Sequence, residues 1–275
     1  AGDFTMKNEA GKELGRAATA LNAIYGWMVM GELVSALTRD GGMPAMWKSF
    51  AWSDGGEWAR RYMGNGLFQT DVQVPPVAAG VLASQWLARL EYHLRRIAIH
   101  ETGKLEEAAG LIQGEWVKGK TTLVPWAGHM PGTYIGVGDD AAWAKPMELH
   151  GSVPQQVERY SLNTEDGALV LRLGYLGEAD NLVKLFRKKQ QDLLLICGEG
   201  RKPGFIIPPE ARLWVDAGYA FGDACVTIPG YPIPVLPPSG VIQAVLYEAV
   251  NVGVMYQPPA DMKVKDPMAE DPIAP

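Results

Sequence analysis

Residues 167–198 constrain the fold more than any other part of the chain. They begin with the apolar run 168–171, which is typical of a strand covered on both faces, as in a parallel sheet. A turn with Gly174 and Gly177 follows, then an amphipathic helix pattern, and then a second apolar strand at 193–196. This order predicts a β-α-β unit. Because open parallel sheets bind ligands at the carboxyl ends of their strands, we expect a ligand site at the glycine turn.

Helix and strand patterns alternate through the rest of the chain. The predicted helices cover 9–38, 77–102 and 241–252, with Ser239 as the N-cap of the last, and further strands are predicted at 121–126, 211–216 and 224–228. The predicted class is α/β, a three-layer parallel sheet with helices on both faces. We expect a helical, tryptophan-rich N-terminal extension at 1–80, the sheet domain at 81–256 and a flexible proline-rich, acidic tail at 257–275.

The composition argues against several classes of function. The net charge of −6 disfavours nucleic acid as a partner, because phosphate binding needs clustered Lys and Arg. Cys197 and Cys225 suggest neither a disulfide framework nor a metal site. We expect no cofactor, because no P-loop, GxSxG, HExxH or paired CxxC motif is present. The sequence begins at Ala1 without methionine, as it would after removal of a signal peptide or a tag, so a cytoplasmic and an exported location both stay open.

Residues 20–37 are apolar over about the length of a short membrane span. Asn22 and Glu32 interrupt this stretch, and no basic cluster flanks it as in a membrane anchor. Apolar residues also recur every seven positions, as in a helix that packs against other helices. These residues are Leu14, Leu21 and Met28. We therefore predict a helix that is buried or lies at a subunit interface, no membrane span, and a homodimer.

The glycine turn resembles the ligand site of a known family. In sugar isomerase (SIS) domains, a strand ending in Ser-x-Ser-Gly-x-Thr precedes a helix, and the hydroxyls and backbone amides hold a sugar phosphate. Residues 174–179 match this strand-turn-helix layout with the glycine at Gly177. Gly174, Leu176 and Ala179 stand where the family has hydroxyl residues. The resemblance therefore implies the family's site without its usual grip on phosphate.

The resemblance covers roughly residues 85–255 in layout. Residues 89–128 look like the long helix, Gly-Lys turn and first strand of an SIS domain. Residues 127–130 are similar to the Gly-His-Ser turn of one SIS subgroup, with Met130 in place of the serine. The implied fold is the three-layer, flavodoxin-type arrangement. The chain is thus identified as a divergent member of the SIS family.

His129 and Glu248 are the predicted catalytic pair. His129 follows the first predicted strand, at the ligand edge, and a histidine there can shuttle a proton near neutral pH. SIS isomerases use a Glu and a His in aldose-ketose isomerisation, which suggests that Glu248 moves the proton between adjacent carbons. Glu178 is a rival base in the glycine turn itself. It could equally cap the next helix, and its charge would repel a phosphate.

Further ligand contacts are expected from loops at the same edge. These residues are Gly128, Gly174, Tyr175, Gly177, Glu178, His150, Ser152 and Ser239. The aromatic loop of the N-terminal extension adds Trp47, Lys48 and Trp52. Tryptophan faces stack on sugar rings, although packing in the core or at an interface is the more common role of a tryptophan.

The leading functional hypothesis is binding of a sugar or sugar phosphate, with aldose-ketose isomerase activity as an extension of it. The second hypothesis is a non-catalytic sugar-sensing or structural protein, which the missing hydroxyls favour. A third is a hydrolase or lyase that uses His129 and a carboxylate. Fold resemblance does not choose among them.

Overall fold

The computed structural model describes residues 6–7, 13–15, 17–62, 68–126, 132, 135–198, 204–219 and 221–256. The helices are α1 (Ala17–Arg39), α2 (Gly55–Tyr62), α3 (Val81–His100), α4 (Thr102–Val117), α5 (Val153–Asn163), α6 (Asp180–Lys188) and α7 (Ser239–Met255). The strands are β1 (Met6–Lys7), β2 (Glu13–Leu14), β3 (Thr122–Trp126), β4 (Ala144–Glu148), β5 (Leu169–Leu176), β6 (Glu178–Ala179), β7 (Asp192–Gly198), β8 (Phe205–Ile206) and β9 (Leu213–Asp216).

The central sheet has five strands in the order β4-β3-β5-β7-β9, and all of its pairings are parallel. Numbered as they enter the sheet, the strands run second, first, third, fourth, fifth, which is the flavodoxin-like order. The strand order reverses between β3 and β5. In sheets of this kind ligands bind beyond the carboxyl ends of the strands at that reversal, so the glycine turn after β5 lies at the expected ligand edge.

Helices cover both faces of this sheet, and the predicted three-layer α/β fold is confirmed. Leu123, Val170 and Leu193 pack with α5 and α6 in one core cluster. The next residue of each strand joins the larger cluster on the opposite face, with side chains from α1, α3, α4 and α7. These neighbours are Val124, Leu171 and Leu194. Because successive strand residues point to opposite faces, a sheet buried on both sides needs apolar residues at consecutive positions, as in residues 168–171.

The β-α-β unit predicted from residues 167–198 is also confirmed. β5 and β7 pair in parallel, and α6 connects them after the glycine turn. α6 buries Leu182, Val183, Leu185 and Phe186 and carries basic residues in its last turn. β6, which follows the turn, pairs with β8 in a separate two-stranded sheet.

The N-terminal helix is shorter than predicted. The pattern over 9–38 predicts one helix, but α1 begins at Ala17, and Glu13–Leu14 forms a strand that pairs with Met6–Lys7. Gly15, at φ +84°, has a left-handed conformation that a continuous helix does not use. α1 then packs on α3 and α7, and Val34 joins the core of the sheet domain. The domain boundary at residue 80 stays a prediction.

Among the described residues, α1 is the one helix long and apolar enough to cross a membrane by length and composition. These two properties are weak grounds for a span, because core helices and signal sequences share them. The share of its most apolar stretch that is buried is 22%, which is low for a core helix. The predicted burial is therefore only partly met.

Two predictions near the C-terminus were wrong. Residues 224–228 do not form a strand, and only an isolated bridge joins Val226 to Val235. Ser239 is not the N-cap of the last helix, because α7 begins at Ser239 itself and Pro238 takes the cap position. Asp223 accepts hydrogen bonds from the backbone N–H of Ser239, at 3.0 Å, and from its hydroxyl. Asp223, which is distant in sequence, thus accepts a hydrogen bond from the start of the helix, as the side chain of a local N-cap residue would.

Candidate functional site

The end of β5 and the glycine turn after it are held from two sides by buried polar groups. Gly174 was predicted to lie in the turn, but it belongs to β5, where the pairing with β7 is irregular between Leu173 and Leu176. The Gly174 carbonyl accepts hydrogen bonds from Gln243 Nε2 and, at 3.3 Å, from the Tyr219 hydroxyl. A Cβ on Gly174 would lie 2.6 Å from Glu178 Oε1, so no larger residue fits there without displacing that carboxylate. Gly177 has φ +70°, a left-handed conformation that favours glycine. Both glycines are therefore needed for the close packing of this turn.

Glu178 forms a buried ion pair with Arg172 beneath the turn. Arg172 Nε lies 2.6 Å from Oε1 and Nη2 lies 3.2 Å from Oε2, and the two side chains are 3% and 1% exposed. Burial raises the pKa of Glu178, while the Arg172 guanidinium acts in the opposite direction. The carboxylate predicted as a rival base thus has a bidentate partner inside the protein. This ion pair was not predicted from the sequence. The signal for it was Arg172 itself, because a charged residue within an apolar strand requires a buried partner.

Tyr175 connects the glycine turn to the aromatic loop of the N-terminal extension. Its ring stacks on Tyr219, with centroids 5.8 Å apart, and its hydroxyl lies 3.3 Å from Ser49 Oγ. Burial, with a smaller effect from the Asp223 charge, raises the pKa of Tyr175 above its ordinary value of 10.0. The Tyr175 hydroxyl is therefore protonated near pH 7. Its contact with Ser49 joins β5 to the aromatic loop.

Beyond Ser49 opens a pocket with a volume of about 470 Å³, which we call the tryptophan pocket. Its lining residues are Trp27, Met46, Trp47, Lys48, Ser49, Trp52, Gly222, Asp223, Ala224, Ile233, Pro234, Val235, Leu236 and Pro237. Trp27 comes from α1, and Trp47 and Trp52 come from the loop that follows α1. Residues 222–224 and 233–237 supply the rest of the lining. The pocket is mostly apolar and aromatic, with a few polar groups, as is usual for small-molecule sites.

Lys48 is the cationic group of the tryptophan pocket. Its ammonium lies 5.6 Å from the ring centroids of both Trp52 and Trp58, within cation–π range. It also donates a hydrogen bond of 2.6 Å to Asp54, and this bond lowers the pKa of the Asp54 carboxyl. The ammonium is thus fixed in place next to an aromatic face.

Asp223 is the buried carboxylate of the same pocket. Its φ of +51° is left-handed, a conformation that Asp tolerates better than most residues. Its two oxygens accept the Ser239 bonds at the start of α7, where the helix dipole favours negative charge. Burial, followed by the Asp223 charge, raises the pKa of Cys225 to about 12. The lining of the pocket thus includes both the Asp223 carboxylate and the Lys48 ammonium.

The structure describes Glu248, on α7, but not its predicted partner. Glu248 lies five residues after Gln243, the α7 residue that contacts Gly174, and this spacing corresponds to about 7.5 Å along the helix axis. Its Oε2 accepts a hydrogen bond of 3.3 Å from Asn251. His129 and Gly128 lie outside the described residues. The predicted catalytic pair stays a prediction.

His150 and Ser152 lie at the same edge of the sheet but after the outermost strand, β4. Two strand spacings, about 10 Å, separate β4 from β5. His150 is exposed, with Nδ1 3.0 Å from Arg159. Ser152 forms a capping box with Gln155 at the start of α5. Its hydroxyl therefore has a structural partner, and the structure does not group either residue with Tyr175.

The aromatic loop was predicted from the sequence, but the lining residues 222–224 and 233–237 were not. Trp47, Lys48 and Trp52 do lie together, as side chains that could stack on a ring and meet a polar group. The presence of Asp223 and Trp27 in the pocket lining was not predicted, because neither residue lies in a motif. The described residues contain no group of three or more His, Cys, Asp or Glu side chains that could hold a metal ion.

Comparison of the sequence with known protein families gives no match, and comparison with curated protein sequences gives none either.

Proposed function

We propose that this protein binds a sugar or sugar derivative in the tryptophan pocket and that it is a binding protein rather than an isomerase. The observation that carries the proposal is the convergence of Trp27, Trp47 and Trp52 with Lys48 and Asp223 around one 470 Å³ cavity. This cavity borders the carboxyl edge of a doubly wound sheet, where such folds bind their ligands.

The chemistry of the pocket suits a sugar ring. A pyranose presents a C–H face that can lie on an indole ring and a rim of hydroxyls that need hydrogen-bond partners. Tryptophan offers a large rigid face. Lys48 has N–H donors beyond the one that it gives to Asp54, and a carboxylate such as Asp223 has lone pairs beyond the two that accept the Ser239 bonds.

A free or amino sugar fits this edge better than a sugar phosphate. A phosphate at the glycine turn would meet Gly174, Leu176 and Ala179, which carry no hydroxyl, and the Glu178 carboxylate next to Gly174. Arg172, the nearest buried cation, is already engaged by Glu178. These features support the hypothesis of an SIS-like domain that has lost its phosphate grip.

Isomerase activity is the weaker extension, because Arg172 holds the Glu178 carboxylate at the glycine turn in a buried ion pair. We therefore retain from the SIS resemblance the fold and the ligand class, a sugar or sugar derivative. It also includes a homodimer, as the sequence pattern of the first helix predicts.

A thermal-shift screen tests the proposal. The panel contains neutral hexoses, amino sugars, uronic acids, the matching sugar phosphates and inorganic phosphate, each at millimolar concentration. A ligand that binds only the folded state at 100 times its Kd stabilises it by about 2.7 kcal/mol, which is a readily measured rise in Tm. We expect a shift with free or amino sugars and none with inorganic phosphate.

Two substitutions locate the site. Trp52→Ala removes an aromatic ring from the pocket lining and should abolish the shift. Tyr92→Ala removes another exposed aromatic ring, on α3 and outside the pocket, and should leave the shift unchanged. A shift confined to sugar phosphates, or one that survives Trp52→Ala, would refute the proposal.

A further inference from the structure

α1 has an exposed face that nothing in the described part of the chain covers. The helix has 23 residues and a mean hydropathy of 1.3 over its most apolar stretch, of which 22% is buried. Seven of the eight exposed residues of α1 are uncharged and recur at helical spacing on one side: Ala18, Asn22, Tyr25, Gly26, Val29, Met30 and Leu33. The eighth, Arg39, is the last residue of the helix. A solvated helix face normally carries charged residues, so this face is unusual for a surface.

The exposed face consists of a ridge beside a groove. Tyr25, Val29 and Leu33, which are 63%, 68% and 50% exposed, follow one another every four residues and form the ridge. The adjacent row contains Ala18, Asn22 and Gly26, which form the groove, and then Met30, which is 39% exposed and ends it. A Cβ on Gly26 would meet nothing within 4 Å, so packing within the chain does not require this glycine. Because Gly26 has no side chain, the groove is open to solvent at this position.

We propose that this face is a two-fold interface with a second copy of the chain. In an isologous interface one patch must be complementary to itself, and a patch with a ridge beside a groove satisfies that condition. The ridge of each helix then lies in the groove of the other, in the packing class in which rows spaced by four residues interdigitate at about −50°. The interface deepens the homodimer part of the proposed function and does not depend on sugar binding.

The absence of charge on the face favours a second copy over a charged partner. A charged partner has no group to meet on it, and a lipid surface has no need of a groove. α1 is about 34 Å long, and a stripe about 10 Å wide offers less than half of the roughly 800 Å² per partner of a standard interface. We therefore expect a dimer that dissociates on dilution.

Sedimentation velocity of the full chain over a range of concentrations tests this interface. We expect a monomer–dimer equilibrium for the wild type. Val29→Glu places a charge on the ridge and should raise the dimer Kd by about 30-fold or more, the effect of a central interface residue. Leu162→Glu, at a 77% exposed leucine on α5, is the matched control and should leave the Kd unchanged. Circular dichroism confirms that each variant is folded.

Gly26→Leu separates shape from mere apolarity. A leucine there improves helix propensity and fits the isolated chain, but it fills the groove, so we expect it to weaken the dimer. Flotation with phosphatidylcholine vesicles tests the lipid alternative, for which Gly26→Leu should increase binding. The interface is refuted by a wild type that stays monomeric, by a dimer that survives Val29→Glu, by a dimer that Gly26→Leu tightens, or by vesicle binding of the monomer. Sugar binding by Val29→Glu is measured separately, so failure of the interface is distinguished from failure of the pocket.

Discussion

Arg172 lies in a strand that is buried on both faces, where a charged side chain requires a partner. Glu178 supplies it from the other side of the glycine turn, with two short contacts and almost no exposure. Because the two carboxylate oxygens are used, this side chain is not poised to move a substrate proton. At the scale of single residues, the ion pair stabilises the turn and removes the candidate base from the ligand edge.

Breaking this ion pair should destabilise the protein strongly. Arg172→Met and Glu178→Gln each leave one partner buried without compensation, which costs about 3–5 kcal/mol of the free energy of unfolding. The double variant should recover at least half of that loss, because neither charge remains. Urea unfolding monitored by tryptophan fluorescence gives the values. Losses below about 1 kcal/mol for the single variants would contradict the described burial.

His93 should make stability depend on pH. Burial lowers its pKa from 6.5, with Arg96 and Arg89 acting in the same direction and the Gly218 backbone and Asp216 opposing them. The folded state therefore favours the neutral ring. This contribution is present above pH 6.5 and is lost as the pH falls through the lowered pKa.

Thermal unfolding at pH 8 and pH 5 tests this effect. We expect Tm to fall less between the two values in His93→Gln than in the wild type, since other groups that titrate in this range are common to both proteins. An equal fall in the two proteins would show that His93 is not protonated on unfolding.

At the scale of elements, the wall of the tryptophan pocket depends on the turn before α7. Gly222 has φ +89°, and Trp52 packs directly over it, so that a Cβ would lie 2.3 Å from Trp52 Nε1. The same turn places Asp223, which holds the start of α7 through Ser239. One turn thus connects the aromatic loop, the buried carboxylate and the last helix.

Gly222→Ala should both destabilise the fold and weaken sugar binding. The left-handed conformation alone costs about 1–2 kcal/mol for alanine, and the methyl group must also displace Trp52. Gly41→Ala is the control, because Gly41 has φ +83° but open space at the Cβ position. We expect the control to lose a similar amount of stability from strain and to keep its sugar affinity. Calorimetric titration with full affinity for both variants would argue against a role for this contact.

Ser152→Ala should affect stability alone. The Ser152 hydroxyl and the Gln155 side chain form the capping box of α5, and loss of such a cap costs about 1 kcal/mol. Denaturant unfolding and sugar titration are measured on the same preparation. Reduced affinity with unchanged stability would restore the ligand-binding role that the sequence predicts for this residue.

Local patterns predicted the elements well where the cause is local. The apolar run at 168–171 predicted β5, and Gly177 predicted the turn after it, because sheet burial and left-handed geometry act on neighbouring residues. The Ser239 cap failed for the opposite reason. Asp223 reaches Ser239 from sixteen residues away, and this contact depends on the fold of the intervening segment.

At the scale of the whole molecule, three distant parts of the chain build the tryptophan pocket. α1 contributes Trp27, the following loop contributes Trp47, Lys48 and Trp52, and residues 222–237 form the other wall. The sequence could indicate the loop, since its aromatic residues are clustered. It could not indicate Asp223, because residues separated by more than 150 positions come together only in the folded protein.

Isothermal titration calorimetry with the sugar that gives the largest thermal shift is the most direct test of the central claim. Wild-type protein and Trp52→Ala are titrated with the free sugar and with its phosphate ester. We predict one site per chain for the free sugar, no tighter binding of the ester, and a loss of at least tenfold in affinity for Trp52→Ala, which corresponds to about 1.4 kcal/mol. Binding of the phosphate ester alone, with an affinity that Trp52→Ala does not change, would contradict the account and place the ligand at the glycine turn instead.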